Sequence, residues 1–198
     1  MTPNLSDKIN GYPDNKIKIP EFSFFKKPIS NTKPYRTITV LDAYILIKGH
    51  WNVERTQTLR QIKDIEEART FKASQFNYVC FSGEFTKRSE KHFQYHSGLM
   101  VLDFDHLADV DGVKNMLLAD ESLETALLFR SPSGDGLKWV IAIDISLIDH
   151  KSYFKAVANY LKQTYQLEVD ASGKDVARAC FLPYDPQVYI NPNYLSYE

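Results

Sequence analysis

Asp103 and Asp105 flank Phe104 at the end of the apolar run GLMVLDFD, residues 98–105. On a strand, a spacing of two puts both side chains on the same face. Two carboxylates that close repel one another, and such a pair is stable mainly when a cation neutralises it. Hard oxygen ligands on a rigid strand suit Mg²⁺ or Mn²⁺, above all where phosphate oxygens complete the octahedron. Asp170 is the candidate third carboxylate, placed to help hold a second ion as in-line phosphoryl transfer requires. The competing reading is that these aspartates simply end a strand in solvent.

A second group of residues, SPSGDGLK at 131–138, reads first as a tight turn, with Pro132 and two glycines supplying the backbone angles. It also reads as a phosphate cradle. Ser131, Ser133 and backbone N–H groups around Gly134 would face phosphate oxygens, and Lys138 would add charge. It is not a Walker motif, because the GxxxxGK[ST] spacing is absent. Arg178 either pairs with Asp175 or holds a phosphate. His92, His96 and His106 have no metal-ligand spacing, and His96 reads as an ordinary polar histidine.

These residues need elements to position them. Apolar periodicity predicts a helix opening at Thr39 and Asp42 and ending at Gly49, then a longer one over 53–74 with Leu59, Ile62, Ile65 and Ala68 on one face. Residues 78–81 predict a short buried strand. From 98 onward the order is strand (98–103), helix (109–119), strand (125–129), strand (137–143), helix (149–165) and strand (179–182). That is β-α-β-β-α-β, so the expected class is α/β of the α+β kind, with a ferredoxin- or RRM-like sheet core. In that topology the first strand lies between the third and fourth. Its end, with Asp103 and Asp105, then meets Lys138 at the start of strand three and Asp170, Asp175 and Arg178 ahead of strand four.

Composition narrows the class of protein. With 43% hydrophobic and 13% aromatic residues the chain can build a core, which excludes global disorder. No apolar run approaches the ~20 residues of a membrane span, and the N-terminus is not signal-like. Cys80 and Cys180 sit singly in apolar runs and read as reduced core thiols of a cytoplasmic protein. Residues 1–36 hold seven Lys/Arg against three acids and five of the nine prolines, although the whole chain carries a net −1. They are expected to form an extended basic arm able to touch phosphates, pinned by Phe22, Phe24 and Phe25. Residues 37–198 are expected to form the domain, helical over 37–75 with a sheet core over 76–192.

Three stretches, HSGLMVLDFDHL at 96–107, FRSPSGDGLKWVIAID at 129–144 and DASGKDVARACFLPYDP at 170–186, resemble the three motifs of archaeo-eukaryotic primases. The nearer resemblance is to the primase-polymerase-like N-terminal domain of virulence-associated E type replication proteins of bacterial mobile elements. YVCFSGEFTKR at 78–88 is also similar to that group, and the resemblance spans roughly 37–192. It implies that Asp103, Asp105 and Asp170 bind the metal and are catalytic. It further implies that Ser131, Ser133, Gly134, Lys138 and Arg178 meet the nucleotide. The implied activity is templated nucleotidyl transfer on single-stranded DNA from nucleoside triphosphates, with two ions activating a 3′-hydroxyl and stabilising pyrophosphate. A helicase or ATPase domain is the implied partner, the chain being a truncated piece or a stand-alone relative. One departure stands out: Lys138 occupies a position where many members of the superfamily have histidine. A non-catalytic nucleotide- or DNA-binding module and a metal-dependent nuclease are the other functions these residues fit.

Overall fold

A computed structural model describes residues 19–195. The fold is α+β, and every strand pairing in it is antiparallel. One sheet has the order β2-β1-β3-β9, from Arg36–Thr39, Glu21–Phe25, Tyr78–Cys80 and Cys180–Phe181. The other has the order β10-β7-β8-β6, from Tyr189–Ile190, Thr125–Arg130, Leu137–Ala142 and Leu99–Phe104. A hairpin of β4 (Gly83–Phe85) and β5 (Phe93–His96) joins them in sequence.

Alternation along the strands builds three apolar layers. Leu99 and Val101 of β6, Leu127 and Phe129 of β7 and Val140 of β8 pack with Phe22, Phe24, Val79 and Phe81 of the first-sheet segments. Helix α1 (Val40–Lys48) adds Val40, Ala43 and Ile47 to this layer. The opposite face of the second sheet, with Met100, Leu102, Phe104 and Trp139, is covered by α4 (Val110–Leu118) and α5 (His150–Tyr165). The far side of the first sheet gathers Phe25, Tyr78, Cys80 and Phe85.

The expected β-α-β-β-α-β order appears as β6, α4, β7, β8, α5 and β9, but β6 is the edge strand of the second sheet, beside β8, and not flanked by the third and fourth strands as expected. The fourth strand departs from the expectation. β9 pairs with β3 in the first sheet, and the second sheet takes β10 beside β7 instead. Only two residues long, β9 has Cys180 in the layer between the sheets and Phe181 in the layer beyond, so its apolar sides are both satisfied there.

Two further expectations are corrected. Within the supposed arm of residues 1–36, Glu21–Phe25 is a strand paired on both sides, with Phe22 and Phe25 wholly buried. Residues 1–18 lie outside the described residues. The helix expected over 53–74 is two helices, α2 (Val53–Gln61) and α3 (Ile65–Gln75). Asp64 starts the second by accepting a hydrogen bond from Glu67 N at 2.8 Å, an N-cap that competes with helix continuation. Ile65 is consequently 67% exposed rather than on the buried stripe. Among the described residues no helix is long and apolar enough to cross a membrane.

Candidate functional site

The layer between the sheets changes character at one end. On β6 the apolar Leu99 and Val101 are followed on the same face by Asp103 and then Asp105. On β8, Val140 is preceded by Lys138 on that face. The register pairs Asp103 directly with Lys138. Past β7, Ser131 opens the turn to β8, closed by Ser131 N–H to the Gly136 carbonyl at 2.8 Å. Gly136 permits this closure: a Cβ there would lie 2.1 Å from the Phe104 carbonyl oxygen, so the turn backbone rests on the end of β6.

The third carboxylate arrives from the segment after α5. Asp170 N–H donates to the Asp103 carbonyl at 2.9 Å, tying the two segments together by backbone. A short 3₁₀ turn, Ala171–Lys174, follows, with Asp170 as its cap. One oxygen each from Asp103, Asp105 and Asp170 lies within 4.8 Å of the others. Asp103 is buried, Asp170 intermediate and Asp105 exposed.

Their charges are already partly met. Lys138 donates to one oxygen of Asp103, and Arg178 Nη2 reaches the other at 3.2 Å while donating to Asp170 Oδ2 at 2.8 Å. Of the alternatives open for Arg178, its side chain therefore takes these carboxylates; only its backbone N–H meets Asp175, at the carbonyl. Burial alone would raise the Asp170 carboxyl. The Ser172 hydroxyl and N–H, with Arg178 and Lys138, outweigh it and hold Asp170 below the usual carboxylate range. Burial pushes the Lys138 ammonium down to about 8.

The carboxylates suit a hard divalent cation by donor type and spacing. Asp105 makes no hydrogen bond or ion pair among the described residues, so it is the ready ligand. Asp103 and Asp170 are not ready: an ion bound to Asp103 has to displace Lys138, Arg178 or both. The set fits a cation by exchange rather than by vacancy.

Asp103, Asp105, Ser131, Ser133, Lys138 and Arg178 line a cleft of about 560 Å³, with Asp170 held against Asp103 and Arg178 at its border. Residues that the sequence had not singled out line it too: Lys72 on α3, Arg88 after β4, and Lys174. The nearest sequence signal was the TKR end of residues 78–88; a lysine in a charged helix such as Lys72 gives none. The turn at 131–136 is itself held from outside. Arg60 of α2 donates to the Pro132 and Ser131 carbonyls at 3.2 and 3.3 Å, and Arg130 to that of Gly134 at 3.1 Å.

The expected cradle is only partly open. Ser131 and Gly134 spend their N–H groups inside the turn, Gly134 on the Ser131 carbonyl at 3.0 Å. Ser133 is exposed, and the Ser131 hydroxyl is buried without a partner. His96 is not among the residues lining this cleft and bonds His150, Nε2 to Nδ1 at 3.0 Å.

No curated protein and no solved structure matches the chain. A family model does: residues 70–190, more than half of the chain and including the three carboxylates, the 131–136 turn, Lys138 and Arg178, match BT4734-like, N-terminal domain. The chain belongs to that BT4734-like N-terminal domain family.

Proposed function

We propose that this chain is a primase-polymerase-like domain carrying out metal-dependent nucleotidyl transfer, with nucleoside triphosphates as substrates and single-stranded DNA as template. One observation carries the reading: carboxylates from two distant segments, Asp103 on β6 with Asp105 just past its end, and Asp170 after α5, gather within 4.8 Å beside a serine-bearing turn. The cleft that Asp103 and Asp105 share with Lys138, Arg178, Lys72 and Arg88 offers cations to a polyanionic substrate.

Bound Mg²⁺ or Mn²⁺ would supply Lewis acidity to the transferred phosphate and acidify an attacking 3′-hydroxyl. Asp105 would ligate it first, with Asp103 and Asp170 following as their cations let go. Lys138 and Arg178, once freed, transfer their charge to phosphate oxygens, where an Arg fork and a Lys point charge stabilise developing negative charge. The Ser131 hydroxyl donates to the same oxygens, and Ser133 stands at the mouth of the turn. In this reading the protein is a cytoplasmic replication protein of a mobile element, working with a helicase or ATPase domain.

A second reading has its own support. Because Lys138 and Arg178 neutralise Asp103 and Asp170 without an ion, the same cleft serves a non-catalytic nucleotide- or DNA-binding module. The deciding experiment incubates the protein with Mn²⁺, labelled nucleotides and a primed single-stranded template, beside the double variant Asp103→Ala/Asp105→Ala. Extension by wild type alone is expected. Nucleotide binding without extension selects the second reading, and shortening of the strand selects a nuclease.

A further inference from the structure

Among the described residues, two buried side-chain polar atoms have no hydrogen-bond partner, Arg88 Nε and Ser131 Oγ, and both residues line the cleft described above. Buried donors are almost always paired, so two orphans in one cleft mark a place where something else is meant to bind.

Arg88 is built for an anion. Its backbone N–H is held by the Thr32 carbonyl at 2.8 Å, and its Nη2 donates to the Ile29 carbonyl at 3.3 Å. The guanidinium lies 5.2 Å over the Tyr78 ring, whose hydroxyl is fixed by the Asn31 carbonyl at 2.6 Å. This side chain is therefore pre-positioned, yet it meets no carboxylate among the described residues. Lys72 and Lys174, lining the same cleft, are equally without an ion pair there. Lys138 and Arg178 are committed to carboxylates; these three cations are not.

We propose that Arg88, with Lys72 and Lys174, forms a phosphate-binding wall in the same cleft as the carboxylate cluster, and that the Ser131 hydroxyl completes it. The ligand chemistry is a phosphate oxyanion: an Arg fork with an unpaired Nε–H and a neutral hydroxyl donor match its acceptor oxygens. Two sources present that group, the tail of a triphosphate and the phosphodiester of a single strand. The wall uses the cleft of the proposed function but not its chemistry, since anion binding here needs neither metal nor turnover.

The test measures affinity in EDTA for inorganic tripolyphosphate by calorimetry and for fluorescent oligo(dT) by anisotropy. Wild type is compared with Arg88→Gln, Arg88→Lys, Lys72→Gln and Ser131→Ala, and with Lys155→Gln, an exposed lysine of α5 outside the cleft, as control. Arg88→Gln is expected to weaken binding about tenfold, the loss of one charge-assisted contact. Arg88→Lys should recover part of that, Lys72→Gln and Ser131→Ala should weaken it several-fold, and Lys155→Gln should not weaken it. Loss confined to tripolyphosphate names the triphosphate tail; loss confined to oligo(dT), with a shallower salt dependence, names the phosphodiester. If Arg88→Gln melts early, Lys72→Gln and Ser131→Ala, which break no internal hydrogen bond, decide the matter. Wild-type affinity in these variants, or no anion binding by wild type, overturns the wall even if primer extension succeeds. Anion binding with no extension leaves the wall standing and removes the polymerase reading.

Discussion

Lys138 is the residue on which the chemistry turns. It faces Asp103 directly across the β6–β8 pair, and its side chain is only 12% exposed, that of Asp103 8%. A buried carboxylate left without its cation typically costs about 3–5 kcal/mol. Arg178 still touches Asp103, so Lys138→Met should fall at or below the lower end of that range in the absence of metal. The same substitution removes the group a divalent ion must displace. Mn²⁺ should therefore raise the melting temperature of Lys138→Met more than that of wild type, the shift following the logarithm of ion concentration over Kd. Identical Mn²⁺ shifts in the two proteins would show that Lys138 does not compete with the ion. The residue types at this site were legible in the sequence: the carboxylate pair, Asp170, Ser131, Lys138 and Arg178 all line or border one cleft. Their existing ion pairs were not legible, because spacing along a chain gives facing, not which cation a carboxylate chooses.

The strands that carry these residues follow from alternation, and alternation explains both what sequence patterns reveal and what they hide. β6, β7 and β8 are six residues each, long enough for their apolar faces to declare themselves. β9 and β10 are two residues each, too short for any periodicity, so their partners had to be found by tertiary packing. β1 was hidden differently. EFSFF sits among prolines and lysines that mark an arm, yet four of its five residues are buried. Phe22 packs tilted against Phe81 with ring centroids 4.8 Å apart and sits in the layer between the sheets. Phe22→Ala should cost about 3–5 kcal/mol, as expected for an aromatic removed from a packed core. Urea unfolding measures this, and a loss under about 1 kcal/mol would return the segment to the status of an arm. The same element supports the site, for β1 holds β3, and β3 holds β9 just beyond Arg178.

At the scale of the whole molecule, three parts of the chain meet at a pair of histidines. Gly98 N–H donates to His96 Nδ1 at 2.9 Å, so the His96 proton sits on Nε2 and points to His150 Nδ1 at 3.0 Å. His150 must then carry its proton on Nε2, which faces the Gly173 carbonyl at 3.3 Å. One neutral tautomer of each ring satisfies the whole chain of bonds, and any added proton breaks a link. Protonation at His96 Nδ1 expels the Gly98 N–H, while protonation at His150 Nδ1 sets two N–H groups against each other. Burial, with His150 beside it, pushes His96 down to about 4; burial likewise lowers His150, partly opposed by the Gly173 carbonyl and by Asp175 and Asp149. The folded pKa values lie below the unfolded ~6.5, so the unfolded chain takes up protons first as pH falls. Stability from this pair is complete above about pH 6.5 and is lost progressively towards pH 4. His96 is partly open to solvent, and the discounted loss is roughly 1–2 kcal/mol. Urea unfolding of wild type and His150→Gln at pH 7.5, 6, 5 and 4.5 isolates it from the general acid effect on carboxylates. The gap between the two proteins should shrink as pH falls. A gap independent of pH would mean that these rings hold β5, α5 and the Gly173 turn together by packing alone.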